Sequence, residues 1–145
     1  MISEKLKNAY MKTAYAFSEC STATRLKVGA ILVDKSGKNI ISFSYNGTPS
    51  GWSNICEDEN NQTLPEVLHA ETNLISKLAK QGGVGSEGGI LFCTHSPCFQ
   101  CAKLIYQAGI KEVFYSQKYR CEDGIEFLEK LGIKVTQLNI QNHSS

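Results

Sequence analysis

The stretch "ILFCTHSPCFQCAKLIYQAGIKEVFYS", Ile90–Ser116, decides the fold. "ILFCT" is a short apolar run of strand type, "SPC" starts a turn, and Phe99 to Ala108 follows helical spacing. Gly109 then ends the helix, and "IKEVFYS" resumes an apolar run. Strand, helix and strand in succession form a crossover, which lays the two strands parallel with the helix on one face. The punctuation recurs downstream: "CEDGIEFLEKL" reads as a helix, Gly132 ends it, and "IKVTQL" is another strand.

Upstream, "QGGVGSEGG" lacks the Gly-Lys-Ser/Thr ending of a phosphate loop and reads as a flexible link. Before it a helix is expected from Pro65 to Lys80, with Leu68, Leu74, Ile75 and Leu78 as its apolar face and Pro65 suited to a first turn. Residues 46–64 read as loop. "KVGAILVD" and "IISFSYNG", joined by the turn "DKSGKN", form a hairpin. Residues 3–19 place Leu6, Tyr10, Ala14 and Phe17 on one helical face. The order α-β-β-α-β-α-β-α-β predicts an α/β chain: a three-layer α/β/α arrangement around a mixed five-stranded sheet. One domain is expected over 1–138, with a flexible tail over 139–145.

The chain has 145 residues, 41% hydrophobic and 20% charged, with a formal net charge of +1. No basic run or face advertises a polynucleotide partner. The N-terminus lacks the continuous apolar core of a secretory signal, and no apolar run is long enough to span a membrane. A cytoplasmic location is expected. In such a reducing compartment, close-set cysteines are metal ligands or redox residues more often than disulfides.

Two helix starts carry the chemistry. Cys98 and Cys101 are spaced Cys-x-x-Cys where a helix begins, so both sulfurs share a face. His69 stands in "LPEVLHAETNLI", two residues before Glu71, at another predicted helix start. Taken alone, His69 and Glu71 describe an ordinary helix N-terminus, and Cys98 and Cys101 alone describe a redox dithiol. If the two helices open side by side, His69, Cys98 and Cys101 converge as three ligands suited to zinc. A three-ligand site leaves one position open, which is the catalytic pattern, whereas a structural site normally closes with four. Cys93 reads as a buried small hydrophobe and His95 as a hydrogen-bonding residue near a strand end.

His-x-Glu followed by Pro-Cys-x-x-Cys matches the signature of the zinc-dependent deaminases, with Pro97 completing it. "VGAILVD", "SPCFQCAKLIYQAGIKEVFYS" and the segment Tyr45-Asn46-Gly47-Thr48-Pro49-Ser50-Gly51 together resemble the deoxycytidylate (dCMP) deaminase family over about Lys27 to Tyr119. The resemblance implies a cytidine-deaminase-like fold, one catalytic zinc per chain, and hydrolysis of dCMP to dUMP and ammonia in the supply of thymidylate precursors. By the same resemblance Glu71 moves the protons. Asn46 contacts the sugar or phosphate side of the nucleotide, the Ala70 N–H lies near the pyrimidine edge, and Tyr119 lies near the substrate. Arg25 and Arg120 are first choices for the 5′-phosphate, because a guanidinium suits bidentate recognition, with Lys27 and Lys118 behind them.

Some phage-type members of the family hold a second, structural zinc. Cys20 and Cys56 fall in comparable places, but the histidine-bearing insertion that completes that site is absent, so both are expected to be ordinary thiols. The resemblance also brings homo-oligomers, with dCTP and dTTP as candidate effectors for which the sequence supplies no pocket. Alternatives remain within the zinc deaminases (tRNA adenosine, guanine or riboflavin-pathway enzymes). A different class is a zinc-stapled interaction module, which a fourth ligand from His95 or Cys93 would support.

Overall fold

The structure, a computed structural model, describes residues 1–140. His143 and most of the expected tail lie outside them.

Helix α1 spans Glu4–Ser18; the Ser3 side chain caps it by accepting from the Leu6 N–H at 3.2 Å, and Glu4 complements the dipole of the first turn. The hairpin pairs β1, Gly29–Val33, with β2, Ile40–Tyr45. In its turn the Asp34 carboxylate accepts from the Ser36 hydroxyl and the Asn39 amide, and Gly37 supplies the positive φ of 79°. The chain continues through α2, Ala70–Gln81, then β3, Ile90–His95, and α3, Phe99–Gln107. It ends with β4, Glu112–Gln117, then α4, Asp123–Lys130, and β5, Lys134–Gln137. Gly109 and Gly132, at φ 81° and 84°, take the left-handed positions that close α3 and α4.

The sheet order is β2-β1-β3-β4-β5, with β1 antiparallel to both its neighbours and β3, β4 and β5 parallel. This is the mixed sheet that the element order predicts. Alternation along the central strands divides the core. Ala30, Leu32, Leu91, Cys93 and Val113 face the side covered by α2, α3 and α4, where Leu74, Ile105 and Leu128 meet them. Ile31, Val33, Ile90, Phe92 and Phe114 face α1 through Tyr10, Met11 and Ala14. The helices therefore cover both faces, three on one and one on the other.

One expected boundary is wrong. Helix α2 begins at Ala70, not Pro65. Leu68 exchanges backbone hydrogen bonds with Gly47, at 2.7 and 3.1 Å, and Val67 N–H closes a turn on the Leu64 carbonyl. The amide groups that would continue the helix backwards are thus already paired with the loop after β2. Leu68 belongs to that bridge and not to the apolar face of α2.

Candidate active site

The shortened α2 puts His69 at its N-cap with extended backbone, and Ala70 and Glu71 in its first turn. Three ties hold this start against the end of β2. The buried Ser44 hydroxyl donates to the Ala70 carbonyl, Asn73 Nδ2 donates to the Tyr45 carbonyl at 3.1 Å, and the Gly47–Leu68 bridge completes the set. Cys98 is likewise the N-cap of α3. Its loop is braced from behind by α4: a Cβ on Gly124 would stand 2.2 Å from the Pro97 carbonyl oxygen.

These two helix starts bring His69 Nδ1 within 3.5 Å of Cys98 Sγ and 3.3 Å of Cys101 Sγ. Around a tetrahedral zinc with ordinary bond lengths, nitrogen and sulfur ligands stand about 3.5 Å apart. The donor set and its spacing therefore fit that ion. Among the described residues this is the group of three or more that could hold a metal, and neither Cys93 nor His95 joins it. Cys93 is fully buried in the core, and His95 Nδ1 lies 2.8 Å from the Thr94 hydroxyl. The Thr72 hydroxyl lies 3.5 Å from Cys101 Sγ. A metal-bound thiolate carries no proton, so Thr72 would be the donor there.

Glu71 is only 5% exposed, and that burial is the main reason its carboxyl is pushed up to about 7. It is poised to change protonation near neutral pH. Cys98 is pulled down to about 4, first by the hydrogen bond it accepts from Cys101 and then against burial by His69; Cys101 is pushed up by giving that bond and by its own burial. His69 is raised, chiefly by its hydrogen bond to Cys98.

A cleft of about 240 Å³ opens over this cluster. His69, Ala70, Glu71 and Cys98 line it, and the expected substrate residues Asn46, Tyr119, Arg25 and Arg120 line it too. Cys101 sits behind that lining. Lys27 and Lys118 are not brought to the cleft, and Lys118 is paired with Glu122 at 3.3 Å. Asn46 has a structural task besides its place in the wall: Oδ1 accepts from the Val28 N–H at 2.9 Å and Nδ2 donates to the Leu26 carbonyl at 2.8 Å. One amide hydrogen and one lone pair remain for a ligand. Arg120 lies over the Tyr119 ring, and the Tyr119 N–H donates to the buried Ser96 hydroxyl at 2.7 Å.

Sequence reasoning missed Ser96 and Thr72, whose partners Tyr119 and Cys101 are distant in the chain. Cys20 is exposed, while Cys56 is buried in the cleft wall 3.4 Å from the Thr22 hydroxyl.

A family model described as the cytidine and deoxycytidylate deaminase zinc-binding region matches residues 4–117. The fold is similar to that of a dCMP deaminase from the cyanophage S-TIM5, solved in complex with dCMP and dUMP. That likeness has a TM-score of 0.91 and 47% identity over 95% of this chain and 100% of the other. ComE operon protein 2 of Bacillus subtilis is 35% identical over 136 residues, covering 90% of this chain and 70% of its own. Human deoxycytidylate deaminase is 35% identical over 122 residues, covering 79% of this chain and 66% of its own length.

Proposed function

The chain belongs to the cytidine and deoxycytidylate deaminase family, and from that premise we propose that it hydrolyses dCMP to dUMP and ammonia. The observation that carries the reading is the arrangement of the cleft. A buried carboxyl, Glu71, stands beside a His-Cys-Cys set, and two arginines, Arg25 and Arg120, line the same cleft as Glu71, His69 and Cys98. The likeness to a cyanophage enzyme crystallised with dCMP and dUMP supports the substrate.

His69, Cys98 and Cys101 would hold a zinc ion, which when bound acts as a Lewis acid and makes water acidic enough to attack at neutral pH. Glu71 takes the proton of the attacking water and delivers it to N3 of cytosine. Oxygen adds at C4; Glu71 then takes the remaining proton of that C4 hydroxyl and passes it to the amino group, which departs as ammonia as the C4 carbonyl forms. The Ala70 N–H belongs to the first turn of α2, where an N–H has no partner within its helix, and in this reading it meets the pyrimidine edge. Asn46 and Tyr119 hold the sugar side, and Arg25 and Arg120 take the 5′-phosphate.

Residues 1–138 act in this reading as one deaminase domain. We place it in the cytoplasm, where six free cysteines stay reduced and thiolates remain available to metal. A homo-oligomer is proposed on the outward face of α3, which exposes Phe99, Leu104 and Tyr106. dCTP and dTTP are carried as candidate effectors, tested by their effect on the same rate.

The test is ammonia release with zinc quantified on the same sample, across dCMP, dCTP, deoxycytidine, CMP and guanine. Turnover of dCMP well above the rest, with about one zinc per chain, is expected of a three-ligand site. Zinc bound without turnover of dCMP, with or without dCTP, would overturn the reading.

A further inference from the structure

A carboxylate in a cleft built for a phosphate is out of place on electrostatic grounds alone, yet Glu57 lines this one. Its hydrogen bonds explain why it is there. Oε2 accepts from the Thr24 N–H at 3.0 Å and the Arg25 N–H at 3.1 Å, and Oε1 accepts from the Thr24 hydroxyl at 3.0 Å. Both oxygens are thus engaged by a segment more than thirty residues upstream, in charge-assisted bonds. Glu57 is itself anchored: its backbone bridges Thr63, and the Cys56 carbonyl accepts from the Leu64 N–H at 2.8 Å. Burial pushes its carboxyl up, but the bonds from Arg25 and Thr24 outweigh this and leave it below the ordinary value.

The guanidinium of Arg25 makes no direct ion pair with this carboxylate and acts on it only through space, as the smallest of the influences that lower it. Among the described residues the ion pairs are Lys7–Glu4 and Lys118–Glu122, and Arg25 and Glu57 do not form one. An Arg beside a Glu in a cleft ordinarily pairs with it through its side chain. Here the carboxylate grips the main chain of Arg25, and among the described residues the side chain forms no ion pair.

We propose that Glu57 is a positioning residue for the substrate's phosphate: it fixes the Thr24–Arg25 backbone on the cleft wall so that the Arg25 guanidinium is presented to an incoming phosphate monoester without being held in an ion pair. The inference rests on the reading of Arg25 as a phosphate contact. Its gain is preorganisation, since a segment already held in the bound geometry loses less freedom when the ligand arrives.

The sign of the effect separates this role from a bystander charge. A carboxylate that merely repelled phosphate would, on Glu57→Gln, give a lower KM for dCMP. A positioning carboxylate gives a higher one, because glutamine can keep an oxygen on the two backbone N–H groups but the bonds lose their charge assistance. The expected result is a KM for dCMP raised about 10-fold, with kcat reduced less than about two-fold, the pattern of lost uniform binding. In an Arg25→Ala background, Glu57→Gln should add less than about two-fold to KM, since coupled residues are not additive.

If Arg25→Ala leaves KM for dCMP unchanged, the reading of Arg25 fails and the proposal with it. If Arg25→Ala raises KM while Glu57→Gln lowers it, leaves it unchanged, or adds its full effect in both backgrounds, the reading of Arg25 stands and Glu57 is not its positioner. Should Glu57→Gln fail to fold, Thr24→Val removes only the hydroxyl contacts to Glu57 and Asn61. It is expected to raise KM about three-fold, and no rise would overturn the proposal.

Discussion

Glu71 combines two requirements that ordinary surface carboxyls do not meet. It is buried, so its charged form is disfavoured, and it sits within two residues of His69, whose proximity favours charge. Burial wins, and the carboxyl titrates near neutrality, where one group can both take and give a proton. Glu71→Gln keeps the shape and the polarity but cannot exchange a proton. The His-Cys-Cys set is untouched, so zinc content should stay at the wild-type level while kcat for dCMP falls by about 10²- to 10⁴-fold. Ammonia release and zinc quantification on one preparation measure both, and an unchanged rate would remove Glu71 from the reaction. Glu71 was legible in the sequence because its partners lie in short motifs. Glu57 was not: "EDENNQ" reads as a polar loop, and nothing local signals that one of its acidic residues reaches Thr24 and Arg25. Asn46 falls between the two cases, since its motif marks it while its bonds to Leu26 and Val28 depend on the fold.

At the scale of elements, the site depends on how closely α4 approaches the start of α3. Gly124 lies in the first turn of α4, and an added Cβ would meet the Pro97 carbonyl oxygen at 2.2 Å and the Cys98 backbone at 2.9 Å. Two effects of Gly124→Ala oppose each other. Alanine favours a helix by up to about 1 kcal/mol over glycine. The contact is with main chain, which cannot swing aside, so α4 or the Pro97–Cys98 segment must move. A shift of that segment carries the Cys98 sulfur away from its partners, and loss of support around a ligand typically weakens metal binding by about 10- to 100-fold. Chelator competition should therefore show weaker zinc binding in Gly124→Ala. Unaltered affinity with a raised melting temperature would mean that helix propensity decides and that α4 does not brace the ligand. The crossover β3-α3-β4 was readable because apolar runs, turn and glycine lie in sequence, as was the hairpin. The start of α2 was not, because the bridge from Gly47 to Leu68 removes the preceding residues from the helix despite their favourable spacing.

For the molecule as a whole, the ligands tie two helices that the core already holds. His69 opens α2 and Cys98 and Cys101 open α3, while Leu74 of α2 and Ala102 and Ile105 of α3 are buried in one apolar cluster. A bound ion therefore adds to packing that two apolar clusters already supply, and the stripped chain is expected to stay folded, unlike the small metal domains that unfold when stripped. An ion that binds only the folded chain stabilises it by mass action, by about 4 kcal/mol at 1,000 times its dissociation constant. For a chain of this length that corresponds to a melting temperature on the order of 10 °C higher. Thermal unfolding with zinc and after chelation should show this difference, with the stripped protein still melting in one cooperative step. Thiol titration adds a local check. Cys20 and Cys121 are exposed and should react at once in either state; Cys98, partly exposed, should join them only after chelation, and the fully buried Cys93 only on unfolding. A melting temperature indifferent to chelation, with Cys98 reactive throughout, would mean that the three side chains hold no ion. Loss of all cooperative melting would instead mean that the two apolar clusters cannot carry the fold without the metal.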